Sequence, residues 1–163
     1  SGIEDYLGWM KVNFDASCSW KDLDFIRSEW DGPLIIKGIL DEADAREAAA
    51  LGADGIVVSN HGGRQLDGAQ SSIEVLPEIV AAVGDQIEIM FDGGIRSGQD
   101  VVRALALGAK SCMIGRAYAY GLGAYGEAGV TKAIDIIRNE MLVTMGLCGV
   151  NTVAEIDEHV LAG

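Results

Sequence analysis

The sequence is organised around residues 56–68, which have the sequence IVVSNHGGRQLDG. The β-branched run at residues 56–58 predicts a buried strand that stops abruptly at small and polar residues. Histidine exchanges a proton near neutral pH, so His61 is a candidate base, and Arg64 can hold a carboxylate through two parallel hydrogen bonds. Together they suit removal of a proton from a carbon next to a carboxylate. The alternative is a glycine turn with a structural histidine and a solvated arginine.

Length and composition limit the fold and the partners. A chain of 163 residues can build one domain with a hydrophobic core, but an eight-stranded α/β barrel typically needs ~250 residues. The 49% hydrophobic content, with 22 glycines and 2 prolines, is typical of a soluble α/β protein. A net charge of −13 argues against binding to nucleic acid. The three cysteines are widely spaced and match no metal-binding pattern, so no metal site is expected.

Strand and helix patterns alternate along most of the chain. We expect a single domain over residues 1–163, in which residues 1–18 form a loop and residues 19–163 form βα units followed by C-terminal helices. The predicted strands cover residues 34–36, 55–59, 88–91 and 111–114. The predicted helices cover residues 20–30, 41–51, 72–83, 97–107, 127–145 and 153–161. Such alternation predicts an α/β fold with four parallel strands.

The chain also contains an internal repeat with a period of 56 residues. A shift of that length aligns Gly38 with Gly94, and it aligns residues 50–53 (ALGA) with residues 106–109 (ALGA). The period fits one pair of βα units used twice, and it favours a (β/α)8 barrel of the TIM type over a doubly wound sheet. Chance similarity between stretches rich in Ala and Gly is the alternative.

Charged and glycine-rich residues follow the predicted strands, where an α/β barrel carries its functional groups. Lys37 ends the first strand and is placed to neutralise an anion that develops on a ring or a carbonyl. Residues 92–98 (DGGIRSG) and the pair Gly115 and Arg116 form glycine turns with guanidinium groups. The helix after the first turn is expected to offer free amides to a phosphate. Alternatively, Lys37 only extends to solvent at the rim of the barrel, and the two glycine turns are tight turns whose arginines are exposed. Because no GxGxxG follows the first strand, FMN fits better than NAD.

Residues 38–68, 92–109 and 114–130 closely resemble the C-terminal half of the FMN-dependent α-hydroxy acid dehydrogenase and oxidase family. Residues 13–40 are most similar to the bacterial members that oxidise L-lactate. The resemblance covers nearly the whole chain. It implies the C-terminal half of a (β/α)8 barrel. It also implies an enzyme that oxidises an L-2-hydroxy acid, L-lactate in the first place, to the 2-oxo acid with FMN as electron acceptor.

The resemblance also assigns roles to individual residues. It implies that His61 is the catalytic base and that Arg64 binds the substrate carboxylate. Lys37 would lie near the flavin N1 and the C2 carbonyl, where it would stabilise the reduced ring. The implied FMN contacts, with no metal ligand among them, are Lys37, Ser59, Asp92, Gly93, Gly94, Arg96, Gly115 and Arg116.

One part of the family pattern is absent from the sequence. The N-terminal half of family members supplies four strands, an aspartate that orients the histidine, and tyrosines that contact substrate and flavin. We therefore expect activity to require that half as a partner. The other expected partners are a 2-hydroxy acid, an electron acceptor such as a quinone, and further copies in a homo-oligomer. One alternative is an isolated half-barrel that binds phosphate or FMN, or self-associates, without turnover. Another is a different flavin- or phosphate-binding barrel such as an isomerase.

The sequence carries no sign of export or of a membrane span. It contains no apolar run of 18 or more residues, and its N-terminus lacks a basic region followed by a hydrophobic segment. We therefore expect a cytoplasmic protein. The family resemblance further implies peripheral association with the inner membrane.

Overall fold

The structure, a computed structural model, describes residues 2–161 of the chain. Its contacts divide the described residues into two compact units, one that ends at Gly32 and one that begins at Pro33. The first unit contains helices α1 (Ile3–Asn13) and α2 (Trp20–Glu29), and the second contains the sheet. The single domain expected over the whole chain stays a prediction.

The loop expected over residues 1–18 is wrong, because α1 occupies most of that segment. Glu4 and Asp5 lie in the first turn of α1 and Lys11 lies in the last, so these charges complement the helix dipole. No residue of α1 is buried, and Trp9 is 62% exposed. Trp9 and Val12 lie on the side of α1 opposite Ile3 and Leu7, so the hydrophobic periodicity of this segment is weak, which explains why the sequence pattern does not reveal the helix.

The second unit is a four-stranded parallel sheet with helices between its strands. The strands, in their order across the sheet, are β1 (Ile35–Ile39), β2 (Gly55–Ser59), β3 (Glu88–Asp92) and β4 (Ser111–Met113). The helices are α3 (Glu42–Ala50), α4 (Ser72–Val83), α5 (Gly98–Ala106) and α6 (Arg116–Cys148). Short 3-10 turns cover His61–Gly63, Val153–Glu155 and Glu158–Val160. The structure confirms the α/β class and the four parallel strands predicted for half of a (β/α)8 barrel.

Three predicted elements differ from the structure by more than one residue. Lys37 lies in the middle of β1 and not at its end, because the strand continues to Ile39. The helix predicted over residues 153–161 consists of two 3-10 turns. The helix predicted over residues 127–145 corresponds to the second part of α6, but the first part, which begins at Arg116, was not predicted, since its glycines lower the helix propensity.

The sheet buries one face under its helices and carries polar groups on the other. Val58 of β2 and Phe91 of β3 are at most 1% exposed, and α4 packs against both strands. Side chains alternate along a strand, so the neighbouring positions face the opposite side. That side carries Lys37, Ser59 and Asp92, and the register pairs Ser59 directly with Asp92. The parallel sheet therefore gathers three of the predicted site residues on one face.

The internal repeat is confirmed at the level of the helices. Helices α3 and α5 contain 9 residues each, and their bounds are related by the 56-residue shift. Each helix also ends in the same way. The N–H of Gly52 donates to the carbonyl of Ala49 at 3.0 Å, and the N–H of Gly108 donates to the carbonyl of Leu105 at 2.9 Å. The chain thus uses the same helix-to-strand connection twice, as expected for a barrel of equivalent units.

Helix α6 is interrupted at residues 125–126, whose backbone angles are not helical, so residues 116–124 and 127–148 form separate helical segments. The two segments meet at Gly121 and Gly129, where a Cβ on either glycine would overlap the backbone of the other. The two glycines thus allow the backbones of the two segments to approach each other closely. Despite the length of α6, no helix in the described part of the chain has the combined length and apolar character needed to cross a membrane.

We expect Gly129→Ala to destabilise the protein, because the new methyl group would collide with the carbonyl of Gly121. Overpacking of this kind typically costs about 1–3 kcal/mol. The midpoint of urea unfolding, followed by circular dichroism, measures the loss. Gly123→Ala is the matched control, because its Cβ would meet nothing within 4 Å and Ala is the better helix former. A Gly129→Ala midpoint at or above that of the wild type would contradict the close contact.

Candidate functional site

Three side chains meet towards the carboxyl ends of β1, β2 and β3. Nζ of Lys37 donates hydrogen bonds to Oγ of Ser59 at 2.9 Å and to Oδ2 of Asp92 at 2.7 Å. Oγ of Ser59 in turn donates to Oδ2 of Asp92 at 2.7 Å. The register explains the cluster, since Ser59 and Asp92 are paired across neighbouring strands. Three residues predicted to contact a cofactor therefore form one hydrogen-bonded group.

The ion pair between Lys37 and Asp92 keeps the carboxylate charged. Burial acts to raise the pKa of Asp92, but hydrogen bonds from Lys37 and Ser59, and the charges of Lys37 and nearby His61, together lower it below its usual value. The Lys37 side chain is 38% exposed, whereas that of Asp92 is 19% exposed. The cluster therefore presents an ammonium group that a ligand can reach, held in place by a partly buried carboxylate.

The chain turns sharply after β2, and this turn carries His61. The N–H of His61 donates to Oγ of Ser59 at 3.0 Å. Its φ of +55° lies in the left-handed region, and no other described residue with a side chain has a positive φ. Gly38 of β1 lies directly against the imidazole, because a Cβ at that position would come within 2.7 Å of Nε2. Glycine at this position therefore leaves room for the ring.

Sequence reasoning missed Asn60 and Ser72. The N–H of Asn60 donates to Oγ of Ser72 at 3.0 Å, and Oδ1 of Asn60 accepts from the N–H of Gly62 at 3.0 Å. Asn60 and Ser72 are 12 residues apart, and no local pattern connects them. The one available signal was that Asn60 directly precedes the candidate base. These two residues add a link between α4 and the turn that carries His61.

Arg116 joins the end of β4 to the same turn. Its Nη2 donates to the carbonyl of Gly62 at 3.0 Å. A cleft of about 420 Å³ opens beside this contact, and its lining includes Asn60, Gly93, Gly94 and Arg116. Three of the predicted cofactor residues thus share one cleft with the turn after β2.

The phosphate site expected at the start of α5 is wrong in one respect, because amides of its first turn already have partners. Oγ of Ser97 accepts from the N–H of Asp100 at 3.2 Å, and Oε2 of Glu140 accepts from the N–H of Gly98 at 2.9 Å. The Asp100 carboxylate also accepts from the N–H of Arg96 at 3.0 Å. Two carboxylates at a helix start disfavour a further anion.

The start of α6 is a better place for an anion. Its N-cap is Gly115, and no side-chain hydrogen bond caps it. A Cβ on Gly115 or on Gly94 would meet nothing within 4 Å, so a ligand has room to approach the backbone there. Backbone N–H groups at a helix start, next to the guanidinium of Arg116, suit a phosphate. The geometry thus favours a phosphate at α6 over one at α5.

Arg64 and Arg96 take no part in the hydrogen-bonded group. Both are exposed, and neither guanidinium makes a hydrogen bond within residues 2–161. Arg64 directly follows the 3-10 turn as its C-cap, so it shares a loop with His61. The structure therefore places the predicted base and the predicted carboxylate-binding residue on one loop, with the guanidinium of Arg64 in solvent.

A family model described as FMN-dependent dehydrogenase matches residues 2–163. The L-lactate dehydrogenase of Caulobacter sp. (strain K31) is 59% identical over 162 residues, which are 99% of this chain and 43% of that protein. The L-lactate dehydrogenase of Pseudomonas aeruginosa (strain LESB58) is 58% identical over 156 residues, which are 96% of this chain and 41% of that protein. The chain therefore spans about two-fifths of the length of these curated relatives.

Two solved structures share the fold. A flavocytochrome b2 mutant with pyruvate bound has a TM-score of 0.87 at 42% identity, over 91% of this chain and 39% of that chain. Mandelate oxidase with 3,3-difluoro-2-hydroxy-3-phenylpropionic acid has a TM-score of 0.84 at 47% identity, over 90% of this chain and 44% of that chain. Together with the four parallel strands, these matches confirm the fold predicted from the sequence.

We expect Lys37→Met to raise the pKa of Asp92, because it removes a hydrogen bond and a positive charge. A carboxylate whose pKa is lowered by folding stabilises the protein above its ordinary pKa of 3.8, and this contribution is lost as the pH falls through the lowered value. Wild-type stability should therefore fall more steeply below about pH 4 than that of Lys37→Met.

Urea midpoints measured from neutral to acidic pH check this expectation. Lys110→Met is the matched control, since Lys110 is also exposed and makes no ion pair within the described residues. Its pH profile should parallel that of the wild type. Parallel profiles for Lys37→Met and the wild type would show that the ion pair does not hold the pKa of Asp92 down.

Proposed function

The chain belongs to the FMN-dependent dehydrogenase family, and from this premise we propose that it forms the flavin- and substrate-binding part of an enzyme that oxidises an L-2-hydroxy acid to the 2-oxo acid. L-Lactate is the proposed substrate, because relatives at 59% and 58% identity are L-lactate dehydrogenases. The observation that carries the proposal is the single loop that holds His61 and Arg64 beside the ion pair of Lys37 and Asp92. A base, a carboxylate binder and a reachable ammonium in one site suit this oxidation.

The described residues fit FMN, an anionic cofactor with a phosphate group. The fit rests on the open backbone at Gly94 and Gly115, on the uncapped start of α6, and on the guanidinium of Arg116 beside it. The exposed ammonium of Lys37 adds a positive group on the open face of the sheet. The residues proposed to hold FMN are Lys37, Ser59, Asp92, Gly93, Gly94, Arg96, Gly115 and Arg116.

When bound, FMN supplies a ring that accepts the two electrons of the oxidation. Lys37 stabilises negative charge that develops next to its ammonium. Asp92 and Ser59 orient that ammonium through their hydrogen bonds at 2.7 and 2.9 Å. Arg116 holds the carbonyl of Gly62 and would supply a positive charge to the phosphate group of FMN. These residues bind and orient, whereas proton transfer falls to the turn after β2.

His61 takes the proton that the hydroxy acid releases, and Arg64 holds the substrate carboxylate through its planar guanidinium. Only Gly62 and Gly63 separate the two residues. The N–H groups of both glycines are hydrogen-bonded within the turn, so the backbone between base and carboxylate binder has a defined geometry. A small 2-hydroxy acid, whose carboxylate lies one bond from the reacting carbon, matches this close spacing.

The proposed activity requires the remaining strands of the barrel. Strands β1 and β4 are the edges of the sheet, and edge strands present unpaired backbone groups. Ile35 on β1 and Met113 on β4 are 50% and 42% exposed. The proposed partner is the N-terminal half of the same enzyme, which would pair these edges and supply a carboxylate that orients the imidazole of His61.

We also propose an electron acceptor, an oligomeric state and a location for the enzyme. The electrons pass on to an acceptor such as a quinone, and the enzyme is a cytoplasmic homo-oligomer at the periphery of the inner membrane. Exposed Tyr6 and Trp9 on α1 support contact with a membrane surface. Exposed Val143 and Leu147 on α6 support contact between copies.

The proposed function is tested in a completed barrel, in which this chain replaces the matching part of the L-lactate dehydrogenase of Caulobacter sp. (strain K31). The purified protein should show a flavin spectrum, and L-lactate added without oxygen should bleach it. D-Lactate is the control for stereochemistry. A completed barrel that holds flavin but is bleached by no L-2-hydroxy acid would refute the enzymatic proposal and favour a half-barrel without turnover.

We expect His61→Ala in the completed barrel to lower kcat about 10²- to 10⁴-fold, which is the usual contribution of a general base. Flavin content should stay the same, because a base acts in proton transfer and not in cofactor binding. Stopped-flow bleaching and the flavin-to-protein absorbance ratio measure the two effects. His159→Ala changes the only other histidine of the chain and should leave both unchanged. Joint loss of flavin and turnover would argue against a role as base.

We expect Arg64→Lys to raise KM about tenfold or more and also to slow turnover, since a point charge cannot replace a bidentate contact that contributes roughly 1.5–3 kcal/mol. Steady-state kinetics with L-lactate measure both constants. Arg138→Lys, at an exposed arginine of α6, serves as the matched control. If Arg64→Lys keeps wild-type kinetics, Arg64 does not bind the substrate carboxylate.

A further inference from the structure

Two polar residues are buried among residues 2–161, Ser59 at 0% and Ser72 at 2% exposure. Both hydroxyl oxygens accept hydrogen bonds from the backbone of the same turn. Oγ of Ser59 binds the N–H of His61, and Oγ of Ser72 binds the N–H of Asn60, each at 3.0 Å. The two buried hydroxyl groups thus hold consecutive residues, one of which is the proposed base.

The hydroxyl of Ser72 does not serve as the cap of its own helix. Ser71 is the N-cap of α4, and Ser72 is the first residue of the helix. A buried hydroxyl group is unfavourable unless it is hydrogen-bonded, so its partner matters. That partner is the N–H of Asn60, in the loop after β2. Ser72 therefore fixes a contact between α4 and the turn, which the helix itself does not require.

Asn60 extends this contact through the turn. Its Oδ1 accepts from the N–H of Gly62 and its carbonyl accepts from the N–H of Gly63, both at 3.0 Å. Its Nδ2 donates to the carbonyl of Gln70 at 3.2 Å. The N–H of His61 donates to Oγ of Ser59, so the four consecutive N–H groups of residues 60–63 all have partners. The backbone of the turn is thus restrained at every residue.

The turn needs this restraint because His61 has a φ of +55°. Such a φ is unfavourable for a residue with a Cβ, and it persists where the surrounding structure determines it. The loop after β3 leaves space for the restraint. A Cβ on Gly93 would come within 2.8 Å of Oγ of Ser72 and 3.4 Å of Oδ1 of Asn60. Glycine at this position allows Ser72 to reach Asn60.

We propose that Ser72 is a positioning residue for the base: its hydroxyl fixes Asn60, and Asn60 fixes the turn on which His61 meets the substrate. The inference rests on the proposed role of His61 in proton transfer. Through this contact, α4 sets the position of the imidazole against Gly38 on β1. Ser72 itself does not touch the substrate.

Kinetics of the completed barrel test the inference. Ser72→Ala removes the acceptor and should lower kcat about 10- to 100-fold, which is the effect of a misplaced catalytic group. KM and flavin content should stay close to wild type, because the long side chain of Arg64 adapts to a small shift of the turn. Ser72→Thr keeps the hydroxyl and should recover most of the rate. Ser71→Ala, at the neighbouring serine that makes no capping bond, is the matched control.

Hydrogen exchange, measured by mass spectrometry on the same proteins, shows how firmly the turn is held and does not depend on catalysis. In Ser72→Ala the amides of residues 60–63 should exchange about tenfold faster or more, because the loss of one buried hydrogen bond frees the turn to open. Ser71→Ala and Ser72→Thr should keep wild-type exchange. Amides of β2 report whether the fold as a whole has loosened.

The outcomes separate this inference from the proposed function. A wild-type completed barrel without turnover refutes the function, and exchange at residues 60–63 then decides the role of Ser72 alone. Unchanged exchange in Ser72→Ala overturns the inference. So does faster exchange with unchanged kcat, or a loss of rate that only follows a loss of flavin. Equal effects of Ser71→Ala and Ser72→Ala would also overturn it.

Discussion

The hydroxyl group of Ser59 is the interaction on which the rest of the site depends. A hydroxyl has one donor and two acceptor positions, and Ser59 uses all three: it donates to Asp92 and accepts from Lys37 and from the N–H of His61. Because Ser59 is fully buried, water does not replace any of these partners. A slip of β2 by one residue would turn Ser59 towards the helices and separate the group. The register of the sheet therefore sets the chemistry at its end.

The positive charges of the site are of two kinds: the ammonium of Lys37 is paired with a carboxylate, and the guanidinium groups are not. The ammonium of Lys37 is already compensated by Asp92, whose pKa is lowered, so it acts at short range. Among the described residues, the guanidinium groups of Arg64, Arg96 and Arg116 contact no carboxylate, and the partner of Arg116 is a neutral carbonyl. In a chain of net charge −13, attraction of an anionic ligand must come from such local groups. The proposed function accordingly assigns the arginines to the binding of anionic ligands, and Lys37 to charge that develops during the reaction.

Elements that are defined by a local sequence pattern could be predicted from the sequence, whereas contacts that depend on how the helices pack could not. Strand β2 and helix α4 have the predicted bounds, because a β-branched run and an apolar helical face define them. Ser59 and Asp92 were expected at one edge, since the ends of parallel strands meet there. Helix α1 was missed because its apolar residues are spread around the helix and show only weak periodicity. The bond between Ser72 and Asn60, and the bond from Gly98 to a residue 42 positions later, depend on how helices dock. Sequence periodicity does not contain that information.

The described residues fix the position of the proposed base but do not orient its ring through a carboxylate. The backbone of His61 is held by buried hydroxyl groups from β2 and α4, and its ring lies against Gly38 of β1, all within this chain. No carboxylate of the described residues hydrogen-bonds to the imidazole. A histidine that is placed but not oriented by a carboxylate lacks control of its tautomer, and in a comparable triad this loss costs ~10⁴ in rate. Separation of the two halves of the proposed enzyme should therefore remove turnover through loss of ring control, even where the turn after β2 keeps its shape.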